Sequence, residues 1–187
     1  MILATGVKEI FPEIEGFYPL YGKSLFNCPY CDGWSEYPAV FHTAKLLLNW
    51  SKDLVVCTNG NENLSNEQKK QLQRKGIAIM GQPIAAFVGQ NGKLEHIRFS
   101  DGTTIERAGG FVTPKFISST RFGEQLGCDK TELGGIQTDG KGKTSVPGLY
   151  IAGDASYFMP SQLVFAAADG SRIAMSVNLE LAEEDFI

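Results

Sequence analysis

The chain has 187 residues, 43% of them hydrophobic and 20% charged, with a net charge of −4. That is enough material for one large or two small globular domains with a proper core. It carries no basic run and no apolar run as long as a membrane span, so neither nucleic acid nor a membrane is an expected partner.

Met1-Ile2-Leu3-Ala4-Thr5-Gly6 lacks a basic leader and a long apolar segment, so it does not read as a signal peptide. Four cysteines in a chain of this size fit a reducing compartment, the cytoplasm, better than a disulfide scaffold. Ile2 to Ala4 reads as the end of a buried strand closed by Thr5-Gly6, as if the chain began in mid-fold. Residues 7–24 carry Pro12, Pro19 and two glycines and read as an irregular connection.

Asn27-Cys28-Pro29-Tyr30-Cys31-Asp32-Gly33 follows. Two cysteines two residues apart can close and reopen a small disulfide, and a lowered thiol pKa makes the reactive thiolate. Pro29 suits a tight turn or a first helical turn. Asp32 sets a carboxylate beside the pair, where it can move a proton. Half of a zinc site is the rival reading, but zinc wants four ligands. Cys57, Cys128, His42 and His96 form no second knuckle, so no metal is expected. A structural disulfide is the other rival.

From Pro38 the pattern turns helical, with Val40, Ala44, Leu47 and Leu48 on one face. Residues 53–58 (DLVVCT) read as a buried parallel strand, with Cys57 as a small buried hydrophobe. Asn59-Gly60-Asn61 is a turn, and Ser65-Asn66-Glu67-Gln68 is a capping box opening a helix that stops at Gly76. Strands are expected over 77–80, 84–89, 94–99 and 103–106, with Asn91-Gly92 as a hairpin turn. This order reads as the back part of a dinucleotide-binding α/β domain. Residues 109–113 read as another buried strand, and 114–143 as turn-rich with a short helix around 120–126. A strand over 149–152 ends at Gly153-Asp154, and a long apolar helix runs from about Ser161 to Glu183. Ala166, Ala167, Ala168 and Gly170 on that helix are small enough to allow a sheet or ligand to approach closely.

Val146 to Asp154 is the second informative stretch. Gly153 lets a backbone approach a ligand, Asp154 offers an acceptor for sugar or ribityl hydroxyls, and the next helix can aim its N-terminus at an electron-rich group. Alone, Gly-Asp after a strand reads more readily as an ordinary turn.

Four stretches in order carry a resemblance: Leu3-Ala4-Thr5-Gly6, Cys28-Pro29-Tyr30-Cys31-Asp32-Gly33, Val146 to Asp154, and Gln162 to Gly170. Over essentially its whole length the chain resembles the thioredoxin reductase family of flavin-dependent pyridine nucleotide–disulfide oxidoreductases. The resemblance implies an α/β fold, the FAD/NAD(P)-binding Rossmann-like two-domain fold of the thioredoxin reductase type, incomplete here. Residues 1–10 would end the first half of the FAD domain, 11–108 would form the pyridine nucleotide domain with the C-x-x-C, and 109–187 would complete the FAD domain. It implies that Cys31 faces the flavin, that Cys28 exchanges with the disulfide partner, and that Asp32 transfers the proton. Asp154, with Gly153, would hold the ribityl chain, and Gln162 would approach the isoalloxazine ring. Thr5 and Gly6 would lie on the same cofactor site. The implied cofactors are FAD with NADPH or NADH. The implied partners are a thioredoxin-like protein or a small disulfide or dithiol, with a homodimer as the assembly.

Three departures qualify the resemblance. The glycine-rich FAD turn expected before Leu3 is absent, so the residues present supply only the distal side of a flavin site. Weak FAD binding by these 187 residues is therefore expected, and so is self-association through the 149–152 strand and the alanine-rich helix face, which would be partly uncovered. Gly33-Trp34 runs into Ser35-Glu36-Tyr37-Pro38 without room for a strand and glycine turn, so either roughly a dozen residues are missing there or the nucleotide domain lacks its first strand. Third, Cys57-Thr58-Asn59-Gly60 stands where NADPH-binding members carry His-Arg-Arg, so no arginine fork is available and little preference for NADPH over NADH is expected. A flavin-dependent dithiol oxidase using oxygen, and a non-catalytic interaction module, are the rival functions.

The C-x-x-C-Asp pattern predicts a reversible disulfide between Cys28 and Cys31. Thiol titration should count two more thiols after reduction than after mild oxidation, and zinc held by the pair would contradict it.

Overall fold

The structure is a computed structural model that describes residues 1–27, 39–132, 134–156 and 162–186. In chain order come β1 (Ile2–Leu3), β2 (Val7–Ile10), α1 (Phe17–Leu20), β3 (Leu25–Phe26), α2 (Ala39–Leu47), β4 (Val55–Cys57), α3 (Asn66–Arg74) and β5 (Ala78–Met80). Then follow β6 (Ile84–Gln90), β7 (Lys93–Phe99), β8 (Thr104–Glu106), β9 (Gly110–Phe111), β10 (Lys115–Ser118), α4 (Phe122–Gln125), β11 (Tyr150–Ile151) and α5 (Leu163–Asp185), with a 3-10 turn over Gly153–Ala155. They fall into two compact units, Met1–Ile10 with Lys115–Ile187, and Phe11–Pro114.

The Phe11–Pro114 unit has two cores. Helices α2 and α3 cover the parallel pair β4–β5 around buried Phe41, Ala44, Val56, Leu64, Leu72 and Ile77. The start of α3 is set locally. Ser65 Oγ accepts from Gln68 N–H, and Gln68 Oε1 accepts from Ser65 N–H, at 3.2 and 2.8 Å. Such a box contributes about 1 kcal/mol. The second core lies under the antiparallel meander β6–β7–β8, where Phe17, Leu20, Leu25, Phe87, Leu94, Ile97 and Phe99 are buried together. Asn91 and Gly92 both take positive φ, 53° and 79°, which a two-residue type I′ hairpin turn requires. The short α1 belongs to this core because each buried aromatic side chain such as Phe17 contributes about 2–3 kcal/mol.

Residues 109–113 differ from expectation. Only Gly110 and Phe111 pair, in parallel with Leu25 and Phe26, and the Phe26 and Phe111 rings lie 6.1 Å apart, both exposed. The pairing places residues 109–114 with this unit. Residues 7–24 are likewise more regular than their prolines imply, since they contain β2 and α1.

In the other unit, β2 and β10 form an antiparallel ribbon, Ile10 opposite Lys115 and Val7 opposite Ser118. Strand β1 pairs in parallel with β11, Ile2 opposite Tyr150 and Leu3 opposite Ile151. One cluster joins Cys128, Ile136, Leu149, Ile151 and Ala155, and another joins Tyr150, Ala152 and Ile173. The 149–152 segment is thus covered, Ile151 being 1% exposed, whereas the sequence led us to expect it partly bare. Helix α5 is the bare element: Asp169 and Ile173 are buried, while Leu163, Met175, Leu179 and Leu181 are exposed. Among the described residues, no helix is long and apolar enough to cross a membrane.

Gly16 precedes α1 with φ 76°, and a Cβ there would fall 1.9 Å from the Phe87 carbonyl oxygen. Gly22 has φ +75° and open space around its Cβ position. Gly16→Ala should therefore cost about 3 kcal/mol or more and Gly22→Ala about 1 kcal/mol, from strain plus clash against strain alone. Urea unfolding of both variants checks this, and equal losses would contradict it.

Candidate functional site

The parallel pairing of β1 with β11 builds one edge. Tyr150 N–H donates to Met1 O and Ala152 N–H to Leu3 O, both at 2.9 Å. Running the same way and in register, the two strands deliver Ala4-Thr5-Gly6 and Ala152-Gly153-Asp154 side by side at their C-terminal ends. Open α/β sheets bind ligands in the crevice outside that edge.

Gly153 takes φ +63°, and a Cβ there would stand 3.4 Å from the Ala166 Cβ. The small residues at 153 and 166 let α5 come close to the edge, which fits the expected role of the alanines. The Gly153 carbonyl accepts from Ser156 N–H at 3.0 Å and Ser156 Oγ at 2.9 Å, holding the chain in its 3-10 turn. Asp154 is half-buried in that turn. Gln162 is the N-cap of α5, with extended backbone, and its side chain does not cap the helix. Its carbonyl accepts from Ala166 N–H at 3.0 Å. Beyond it Leu163, Val164 and Phe165 are 86%, 66% and 48% exposed, an apolar surface at the helix start.

The structure therefore brings Thr5, Gly6, Gly153 and Asp154 to one edge, and Gln162 heads the helix that touches it. Cys28, Cys31 and Asp32 lie outside the described residues. Sequence reasoning missed Asp169, which is buried on α5 in an ion pair with Arg172. An acidic residue in an alanine-rich run was the available signal.

Cys57 ends β4 and packs against the meander core. Burial pushes its thiol up from 9.0 to about 11, against the opposing pull of Arg107. Cys128 is buried in the other unit.

A strand edge with glycine and carboxylate against a helix N-terminus, together with a parallel pair under two helices, is the architecture of a FAD/NAD(P)-binding Rossmann-like protein of the thioredoxin reductase type. Residues 43–170 match the pyridine nucleotide-disulphide oxidoreductase family, and the chain belongs to that family. Among curated proteins it is 26% identical to thioredoxin reductase sirT of Leptosphaeria maculans, over 99% of this chain and 64% of that protein. It is 25% identical to thioredoxin reductase aclD of Aspergillus oryzae, over 99% of this chain and 65% of that protein. The solved structure of a putative thioredoxin reductase, TrxB, from Bacillus anthracis superposes with a TM-score of 0.86 at 40% identity, over 98% of this chain and 65% of that one. The chain thus spans just under two thirds of the length of these relatives.

The family uses FAD and NAD(P)H. The residues at the β1–β11 edge fit a flavin in kind: a glycine whose positive φ leaves the edge without a side chain, a half-buried carboxylate suited to hydroxyl donors, and an uncovered apolar helix start.

The raised Cys57 pKa sets a pH window. Its contribution to stability is complete below pH 9.0 and is lost as pH rises towards about 11, because the unfolded thiol ionises first. Cys57→Ala should flatten the fall in stability across that window, measured by urea unfolding of both proteins from pH 8 to pH 11. The thiol should also react slowly with iodoacetamide at pH 8 in the folded chain.

Proposed function

We propose that the protein is a flavin-dependent thiol–disulfide oxidoreductase, passing electrons from a reduced pyridine nucleotide through FAD and the Cys28/Cys31 pair to a disulfide. The observation that carries this reading is the Cys28-Pro29-Tyr30-Cys31-Asp32-Gly33 sequence in a chain whose Gly153-Asp154 edge meets the start of α5. The names of the relatives, thioredoxin reductases sirT and aclD, support it. In this reading the unit of residues 1–10 and 115–187 serves the flavin, with Asp154 and Gly153 at the ribityl chain, Thr5 and Gly6 beside them and Gln162 at the ring. The Phe11–Pro114 unit serves the nucleotide. The partner is a thioredoxin-like protein or a small disulfide, the assembly a homodimer, and the location cytoplasmic.

The chemistry at the pair follows thiol–disulfide exchange. The Cys28 thiolate attacks one sulfur of the partner disulfide, forming a mixed disulfide and expelling one partner thiolate, which takes its proton from Asp32. The Cys31 thiolate then attacks Cys28 Sγ, the second partner sulfur leaves as a thiolate that takes its proton from water, and Cys28 and Cys31 remain joined as a disulfide. The partner has gained two electrons and the pair has lost two. Bound flavin supplies the two-electron relay from nucleotide to this disulfide.

Cys28→Ser and Cys31→Ser should each abolish disulfide reduction, and Asp32→Asn should lower it about a hundredfold or more if the carboxylate moves the proton. Turnover with a small disulfide and reduced nucleotide, using the flavin-loaded protein, measures this. Unchanged rates in the cysteine variants would end the proposal. Oxygen-dependent oxidation of a small dithiol, with no nucleotide requirement, would replace it with the oxidase reading.

A further inference from the structure

Strand β3 ends two residues before Cys28, and its pairing with β9 fixes what stands beside that end. Leu25 lies opposite Gly110, and Phe26 lies opposite Phe111. Gly110 N–H donates to Ser24 O at 2.9 Å and Val112 N–H to Phe26 O at 2.7 Å, which holds the register. Side chains alternate along a strand, so Leu25 enters the core, 1% exposed, and Phe26 points the other way. Gly110 leaves room for Leu25, whose Cδ2 lies 3.4 Å from where a Cβ would stand. On the outer side the Phe26 and Phe111 rings lie 6.1 Å apart, tilted by 40°.

Covalent geometry alone keeps the Cα atoms of Phe26 and Cys28 within about 7 Å of each other. The rings therefore stand within side-chain reach of the proposed exchange site. Their strands are uncharged: between Lys23 and Asp32, and between Arg107 and Lys115, the sequence holds no charged side chain. A substrate bearing carboxylates finds no counter-ion on either strand, whereas an uncharged apolar one loses no charge hydration by settling there. With 40% and 38% of their surfaces open, the two residues leave on the order of 150 Å² bare, against about 800 Å² covered on each side of a protein–protein interface. That area suits a small molecule. Soft sulfur also makes favourable contacts with aromatic rings.

We propose that Phe26 and Phe111 form an aromatic platform that holds the apolar substituent of a small, uncharged disulfide while Cys28 exchanges with it. The inference rests on the thiol–disulfide function proposed above and names the substrate class of that same site. The platform is a specificity element: it touches the substrate and leaves the reactivity of Cys28 unaltered.

The test uses the full chain carrying Cys31→Ser, in which a mixed disulfide at Cys28 persists, and it needs neither flavin nor nucleotide. Peptide mass mapping follows the rate at Cys28 with dithiodipyridine, which is uncharged and aromatic, with oxidised glutathione, which carries carboxylates, with hydroxyethyl disulfide, which is uncharged and polar, and with oxidised thioredoxin. Adding Phe26→Ala and Phe111→Ala should slow the dithiodipyridine reaction about tenfold and change the others less than about twofold. Phe26→Leu with Phe111→Leu keeps the apolar volume and should fall between, and circular dichroism of both double variants should match the parent because both side chains are exposed. Equal slowing with every reagent would show that the rings act on Cys28 itself and would overturn the platform. An unchanged dithiodipyridine rate would overturn it too, and a loss confined to thioredoxin would assign the rings to a protein partner instead. Absence of a mixed disulfide at Cys28 with every reagent would overturn the thiol–disulfide reading, and the platform with it.

Discussion

The layout of the chain depends on the pairing of Val7–Ile10 with Lys115–Ser118. Ile10 stands opposite Lys115, so the chain leaves one strand of the ribbon and returns to the other at the same level. Everything from Phe11 to Pro114 is thereby an insertion whose two ends are held together. Without that closure the parallel pairing of Ile2–Leu3 with Tyr150–Ile151 would join residues separated by almost the whole chain. The charged N-terminal amine of Met1 donates to Gly148 O across 147 positions, at 2.6 Å. The logarithmic cost of closing such a loop is about 4 kcal/mol, and a preformed insertion with adjacent ends removes most of it.

Once closed, the outer unit has a well-covered strand and an under-covered helix. Leu149, Tyr150 and Ile151 are buried by clusters on both faces, while α5 offers only a narrow stripe to them. Lys143 pairs with Glu180 and so ties the later part of α5 to the preceding loop, while Arg172 and Asp169 pair within the helix. The Lys143 amine is pulled above its usual range by the Glu180 carboxylate it touches. The half-exposed Lys143–Glu180 pair contributes little to stability and Arg172–Asp169 lies within the helix, so α5 is positioned chiefly by Ile173 and by the close approach at Gly153 and Ala166. The same close approach shapes the proposed flavin edge, so packing and function share one constraint there.

The inserted unit spends its polar groups differently. Asn59 and Asn61 are consumed in tying the end of β4 to the start of β6, which leaves that edge ordered without a ligand. Nearby, Cys57 is a half-buried thiol kept protonated by its apolar surroundings and serves packing. A cysteine in such surroundings is inert at neutral pH, in contrast with the reactivity proposed for the Cys28/Cys31 pair.

By itself the sequence determined whatever is decided within a turn or two of chain. The capping box at Ser65, the Asn91-Gly92 hairpin, the helix after Gln162 and the strand before Gly153 are local choices. Each is written in propensities and periods that neighbouring residues enforce. The motif residues of the proposed site were legible for the same reason, as short contiguous words. Tertiary structure alone decided the ribbon of β2 with β10. Val7-Lys8-Glu9-Ile10 and Lys115-Phe116-Ile117-Ser118 are four-residue strands that, among the described residues, pair only with each other, over a hundred residues away. It also decided that Thr5 and Gly6 lie beside Gly153 and Asp154, and that Asn59 caps the Ile84 amide instead of merely turning the chain. Strand propensity is weak and depends on the neighbour across the ladder. Such pairings are set by the folded chain as a whole.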